Sequence, residues 1–140
     1  MRGTLKSSSG FIIIVAITLM AGLVRPQKIN RIASGVWGGE HIRLEVSSGA
    51  ATVEFDCAHG TIEGPLTVDA NGDFSWKGRF AREHGGPIRN NEEDSSAPAI
   101  YSGSIDGQTM KLTVRLASEK EPLDTFVLIQ GKEARLRKCR

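Results

Sequence analysis

The chain has 140 residues and a formal net charge of +2, enough length for one domain with its own core. Three of the bases, Arg2, Lys6 and Arg25, precede residue 28 and no acid does, so the remainder holds 15 bases against 16 acids. That balance argues against nucleic acid as a partner, which requires a strongly basic face.

Arg2 and Lys6 lead into an uncharged, mostly apolar run of 14 residues, Phe11 to Val24, which Arg25 and Pro26 end. A membrane-spanning helix needs about 20 apolar residues, so residues 1–27 read as a signal peptide. Leu19 and Met20 stand where a small residue is expected before a cut, which leaves an uncleaved anchor open as the chain's sole membrane contact. The expected location is secreted or periplasmic. In such an oxidising compartment the two cysteines, Cys57 and Cys139, are expected to form a disulfide.

Residues 28–34 read as a polar linker and residues 35–140 as a single β domain. From Gly35 onward the periodicity is two. Ile42, Leu44 and Val46 alternate with polar residues, and after Ser47-Ser48-Gly49 so do Ala51, Val53, Phe55 and Cys57, which predicts a hairpin. His59-Gly60 reads as a turn. The third run, Thr61 to Val68, contains Pro65, which donates nothing to a ladder and predicts an edge or a bulge at Gly64-Pro65. The fourth, Asp73 to Phe80, sets Phe74, Trp76, Gly78 and Phe80 on one face.

Residues 81–98 break the pattern with Gly85, Gly86, Pro87 and Pro98 and the acids Glu92, Glu93 and Asp94. Long loops of this kind are solvated excursions or carry function. Ala99, Tyr101, Gly103 and Ile105 then lead through Asp106-Gly107 to Met110, Leu112, Val114 and Leu116, the clearest hairpin in the chain. Thr125 to Gln130 and Glu133 to Cys139 complete eight runs. Short links make sequential neighbours pair. The expected fold is all-β: an eight-stranded antiparallel meander, closed into a barrel in preference to a sandwich, with one disulfide.

Two resemblances accompany this reading. Gly35 to Ile42, Val53 to Ile62, Gly85-Gly86-Pro87 and Leu136 to Cys139 resemble a family of small exported, uncharacterised bacterial proteins, across nearly all of residues 35–140. Gly35-Val36-Trp37, opening the first strand, is similar to the Gly-x-Trp opening of lipocalin-like barrels. That resemblance implies a tryptophan packed across the closed barrel end, against Arg135 or Arg137, a late cysteine bonded back to an early strand, and a small ligand.

Candidate chemistry is sparse. The three histidines each have a carboxylate nearby in sequence: Glu40-His41, Asp56 with His59, and Glu83-His84. Convergence of His41, His59 and His84 at one barrel mouth would make a three-histidine zinc site, although no metal-motif spacing is present. Cys57 beside His59 suggests a nucleophile, but a partner cysteine favours the disulfide. Gly38-Gly39 and Gly85-Gly86 lack the context of a phosphate loop, and no Gly-x-Ser-x-Gly elbow occurs, so no cofactor is expected. Trp37, Phe55, Phe74, Trp76, Phe80, Tyr101 and Phe126 either fill the core or line a pocket, and Trp37, Trp76 and Tyr101 are the candidate ligand-binding set. Lys132, Arg135, Arg137, Lys138 and Arg140 form a basic cluster, suited to an anionic ligand or to protecting a charged edge strand.

The expected function is non-catalytic binding of a small apolar molecule or a protein, through a barrel mouth or the 81–98 loop. Two alternatives stay open: an exported hydrolase inhibitor that inserts 28–37 or 81–98 into its target, and a metal-dependent enzyme using His41, His59 and His84.

Overall fold

The computed structural model describes Gly3 and residues 30–84 and 95–139. The expected leader, apart from Gly3, and the middle of the 81–98 loop lie outside the described residues. The described residues form ten strands: β1 (Asn30–Arg31), β2 (Gly35–Gly39), β3 (Ile42–Ser47), β4 (Ala50–Phe55), β5 (Ala58–Ile62), β6 (Thr67–Val68), β7 (Asp73–Arg82), β8 (Ala97–Asp106), β9 (Thr109–Leu116) and β10 (Asp124–Gln130). Eight of them close an antiparallel barrel in the order β10-β2-β3-β4-β5-β7-β8-β9, and β1 pairs with β6. No helix occurs among the described residues.

The alternation explains the barrel. Ile42, Leu44 and Val46 on β3, Val53 and Phe55 on β4, and Met110, Leu112 and Val114 on β9 all point inward and are buried. With Trp37, Ile62, Phe74, Trp76, Tyr101 and Leu128 they form one continuous core. Each of the eight barrel strands hydrogen-bonds on both sides, so closure leaves the barrel itself without an edge.

The strand count agrees with expectation, but its membership differs in four places. Gly35–Gly39 is a strand of its own, turned back into β3 by Glu40-His41, and it closes the barrel against β10 with Gly39 opposite Leu128. Glu133 to Cys139 is not a barrel strand. Its alternation has another cause: the segment crosses the outside of the barrel and makes one isolated parallel bridge, Glu40 with Arg135. The expected third run divides. The chain leaves the barrel at Ile62, before Pro65, and resumes as β6 outside it. His59-Gly60 lies within β5, and the turn sits at Asp56-Cys57. Gly60 faces inward, where a Cβ would collide with the Tyr101 hydroxyl.

The barrel's two ends differ. At the end where β2 begins, Leu66 is buried and the β1–β6 pair lies across the opening, with the Ile32 N–H donating to the Leu66 carbonyl at 3.0 Å. We term this the capped end. The opposite end carries the Glu40-His41 and Asp56-Cys57 turns, Glu83, His84 and the C-terminal segment. Cys57 and Cys139 are disulfide-bonded there, with Cα atoms 5.2 Å apart; this is the cysteine end.

Candidate functional site

The cysteine end gathers most of the polar chemistry the sequence offers. The two-residue link between β2 and β3 forces His41 to φ +67°, a left-handed conformation that His tolerates better than most side chains. Its N–H donates to the Arg135 carbonyl at 2.8 Å, while the Arg135 N–H donates to Gly39 at 3.0 Å. The C-terminal segment is thereby bonded directly to this turn.

All three histidines stand at this end, and His41 and His59 have other partners than their sequence neighbours suggest. His41 Nδ1 lies 2.6 Å from Asp56 Oδ2, and His59 Nδ1 lies 3.1 Å from Glu83 Oε1. The barrel register explains both. Ile42 sits opposite Phe55, which puts His41 beside Asp56, and Ala58 sits opposite Arg82, which puts His59 near Glu83. His84 is exposed at the end of β7. Among the described residues no three His, Cys, Asp or Glu side chains form a group that could hold a metal ion.

Asp56 is the most constrained of these carboxylates. Its Oδ1 accepts the Arg137 N–H at 2.7 Å and its backbone carbonyl accepts the Cys139 N–H at 3.3 Å. Burial at the turn works against its ionisation. The Arg137 N–H and the His41 imidazole outweigh that effect and hold the carboxyl below its ordinary value of 3.8.

The expected basic cluster is dispersed. Arg135 reaches Glu40 at 3.3 Å, and Lys138 reaches both Glu83 at 3.6 Å and the Phe55 carbonyl at 3.1 Å. The packing of Arg135 or Arg137 on Trp37, implied by the lipocalin-like opening, does not occur. Arg135 is solvated beside Glu40 and Arg137 is exposed, while Trp37 is buried inside.

The candidate ligand-binding aromatics lie in the core. Trp37, Trp76 and Tyr101 are 2%, 5% and 0% exposed. Trp76 stacks on Phe74 at 3.8 Å, and its Nε1 donates to the Thr67 carbonyl at 2.9 Å. The Tyr101 hydroxyl donates to the Arg79 carbonyl at 2.7 Å, and burial pushes this phenol well above the ordinary tyrosine range. Nε1 of Trp37 is buried without an acceptor among the described residues.

A second aromatic group floors the cysteine end. Phe55 packs on Phe80 at 5.5 Å and on Phe126 at 5.4 Å. Above this floor lies a groove of about 350 Å³, walled by His41, Asp56, Arg82 and Asp124. The guanidinium of Arg82 sits 5.9 Å over the Phe80 ring. Sequence reasoning missed Arg82 and Asp124. The available signal was their parity: Arg82 continues the inward row of Phe74, Trp76, Gly78 and Phe80, and Asp124 begins the inward row of Phe126 and Leu128.

A smaller pocket of about 200 Å³ lies outside the barrel between His59, Thr61, Arg79, Ala81 and Ser96. Arg79 Nε donates to Ser96 Oγ there and Nη2 to the Ser96 carbonyl, both at 2.7 Å. No family model, curated protein or solved structure matches this chain.

Proposed function

We propose that this is an exported, non-catalytic binding protein whose contact surface is the cysteine end of the barrel. The observation that carries this reading is the groove over Phe55 and Phe126, an apolar floor inside a polar rim. Binding sites commonly join apolar area to a few placed polar groups. The candidate aromatics further in are committed to the core, which favours a ligand held at the mouth over one swallowed by the barrel. A disulfide at the rim holds that surface in shape and suits an extracytoplasmic setting.

Native mass spectrometry of protein taken from its own host tests the reading by comparing bound with stripped mass. The expected result is a bound species on the wild type that is lost in a folded Phe126→Ser variant. A mass shift absent from both, or equal in both, overturns it.

A further inference from the structure

Two charges stand where the barrel's own pattern calls for apolar side chains. Along β7 the inward positions are Phe74, Trp76, Gly78 and Phe80, and the next is Arg82. Along β10 they are Leu128 and Phe126, and the one before is Asp124. Their ladder partners confirm the parity: Arg82 lies opposite Ala58 and Asp124 opposite Val114, both buried core residues. Both are the end residues of their strands and exposed, so they line the open mouth rather than the core.

Among the described residues neither charge has a side-chain partner of opposite sign. Among the described residues Arg82 has no carboxylate partner, only the face of Phe80, and Asp124 has only the N–H of Thr125 on its Oδ1. β7 and β10 stand three places apart in the eight-strand ring, so the two charges occupy facing walls of one mouth. Between them runs the groove, floored by Phe55 and Phe126.

His41 adds to the Asp124 wall. Its Nδ1 is turned to Asp56, and its ring borders the same groove. One wall therefore offers a carboxylate and the other a guanidinium without a carboxylate partner among the described residues.

We propose that the mouth binds a zwitterion with an apolar body: a short apolar peptide with free ends, or a single apolar amino acid. Its ammonium meets Asp124, its carboxylate meets Arg82, and its side chains lie on Phe55 and Phe126. Arg is well suited to a carboxylate because its planar fork matches the two oxygens. A volume of about 350 Å³ falls at the small end of ligand pockets, about 300–1,000 Å³. This proposal rests on the reading of the cysteine end as the binding surface.

Calorimetric titration of the full chain beyond the leader tests it, with phenylalanine and the dipeptide leucyl-phenylalanine as probes. Each is also supplied N-acetylated and C-amidated. Saturable binding of at least one free-ended probe is expected, weakened about tenfold or more by either block. Asp124→Asn should lose sensitivity to acetylation, and Arg82→Gln sensitivity to amidation. The stronger free-ended probe separates the amino acid from the peptide. No saturable binding by either probe, or blocked probes that bind as well as free ones, overturns the proposal. If that happens while the host-derived bound mass still depends on Phe126, the ligand chemistry is wrong and the binding surface stands. If both fail, the surface itself is wrong.

Discussion

The carboxylate of Asp56 accepts the backbone N–H of Arg137 at 2.7 Å across 81 positions of sequence. The same carboxylate meets His41 at 2.6 Å. One side chain thus joins the β2–β3 turn, the β4–β5 turn and the C-terminal segment, next to the disulfide that ties the last two covalently.

The first prediction follows from the sign of that contact. The folded state holds Asp56 ionised below its ordinary 3.8. Its contribution is therefore present above the unfolded value and lost as pH falls through the lower folded value. Asp56→Asn should cost about 1–3 kcal/mol near neutral pH, the range for a buried or charge-assisted hydrogen bond. The gap from wild type should shrink as pH falls below about 4. Urea midpoints measured for both proteins from neutral to acid pH check this, and a gap that stays constant in acid contradicts it.

The second prediction concerns the strap formed by residues 132–139. It crosses Gly38, where a Cβ would collide with the Lys132 carbonyl and press on the Ala134 nitrogen. Those are backbone atoms and cannot rotate away. Cys139→Ser should cost about 2–5 kcal/mol, and Gly38→Ala about 1–3 kcal/mol by overpacking. The two should couple, because a strap freed from Cys57 can lift off the new methyl group. A double-mutant cycle in urea reads this, with Gly38→Ala costing less in the Cys139→Ser background. Strict additivity would show that the strap does not press on β2.

Tyr101 supplies the third. Its phenol is buried with the hydroxyl on the Arg79 carbonyl, and burial raises its pKa above the ordinary 10.0. A group with a raised folded value stabilises fully below the unfolded value and loses that contribution as pH rises through the folded one. Stability should decline above about pH 10, and the phenolate absorbance should appear together with unfolding. Tyr101→Phe should flatten the alkaline decline, at a cost of about 1 kcal/mol at neutral pH. Ultraviolet titration beside circular dichroism decides it: ionisation of a still-folded protein rules it out.

How much of this was legible depended on which physical signal each residue carries. β3 and β4 are visible because three inward apolar residues alternate with polar ones on each. β2 is nearly silent, since three of its five residues are glycine and only Val36 and Trp37 carry a pattern. Residues 133–139 imitate a strand because Ala134 and Leu136 are half-buried against the barrel's outer surface while their neighbours face water. The expected compartment, together with the resemblance to lipocalin-like barrels, indicated the Cys57–Cys139 bond; no strand pattern did. The histidine partners were out of reach because they depend on register. Local sequence ties His41 to Glu40, whereas the β3–β4 ladder delivers it to Asp56. Arg82 and Asp124 were within reach, by carrying the alternation one step past the last aromatic.

The two tryptophans provide the last prediction. Both are buried, yet Trp76 Nε1 donates to the Thr67 carbonyl at 2.9 Å while Trp37 Nε1 has no acceptor among the described residues. Replacement by Phe removes part of the ring's packing at either position. At position 76 it also removes a hydrogen bond between the barrel and the β1–β6 cap. At position 37 it removes a donor that is buried unsatisfied, a burden of about 1–3 kcal/mol. Trp76→Phe should therefore destabilise more than Trp37→Phe, and it should raise hydrogen exchange at Ile32, whose N–H closes the cap on Leu66. Thermal midpoints rank the pair. An equal or larger loss for Trp37→Phe would mean that its indole nitrogen has a partner inside the barrel after all, which would direct attention from the cysteine end to the interior.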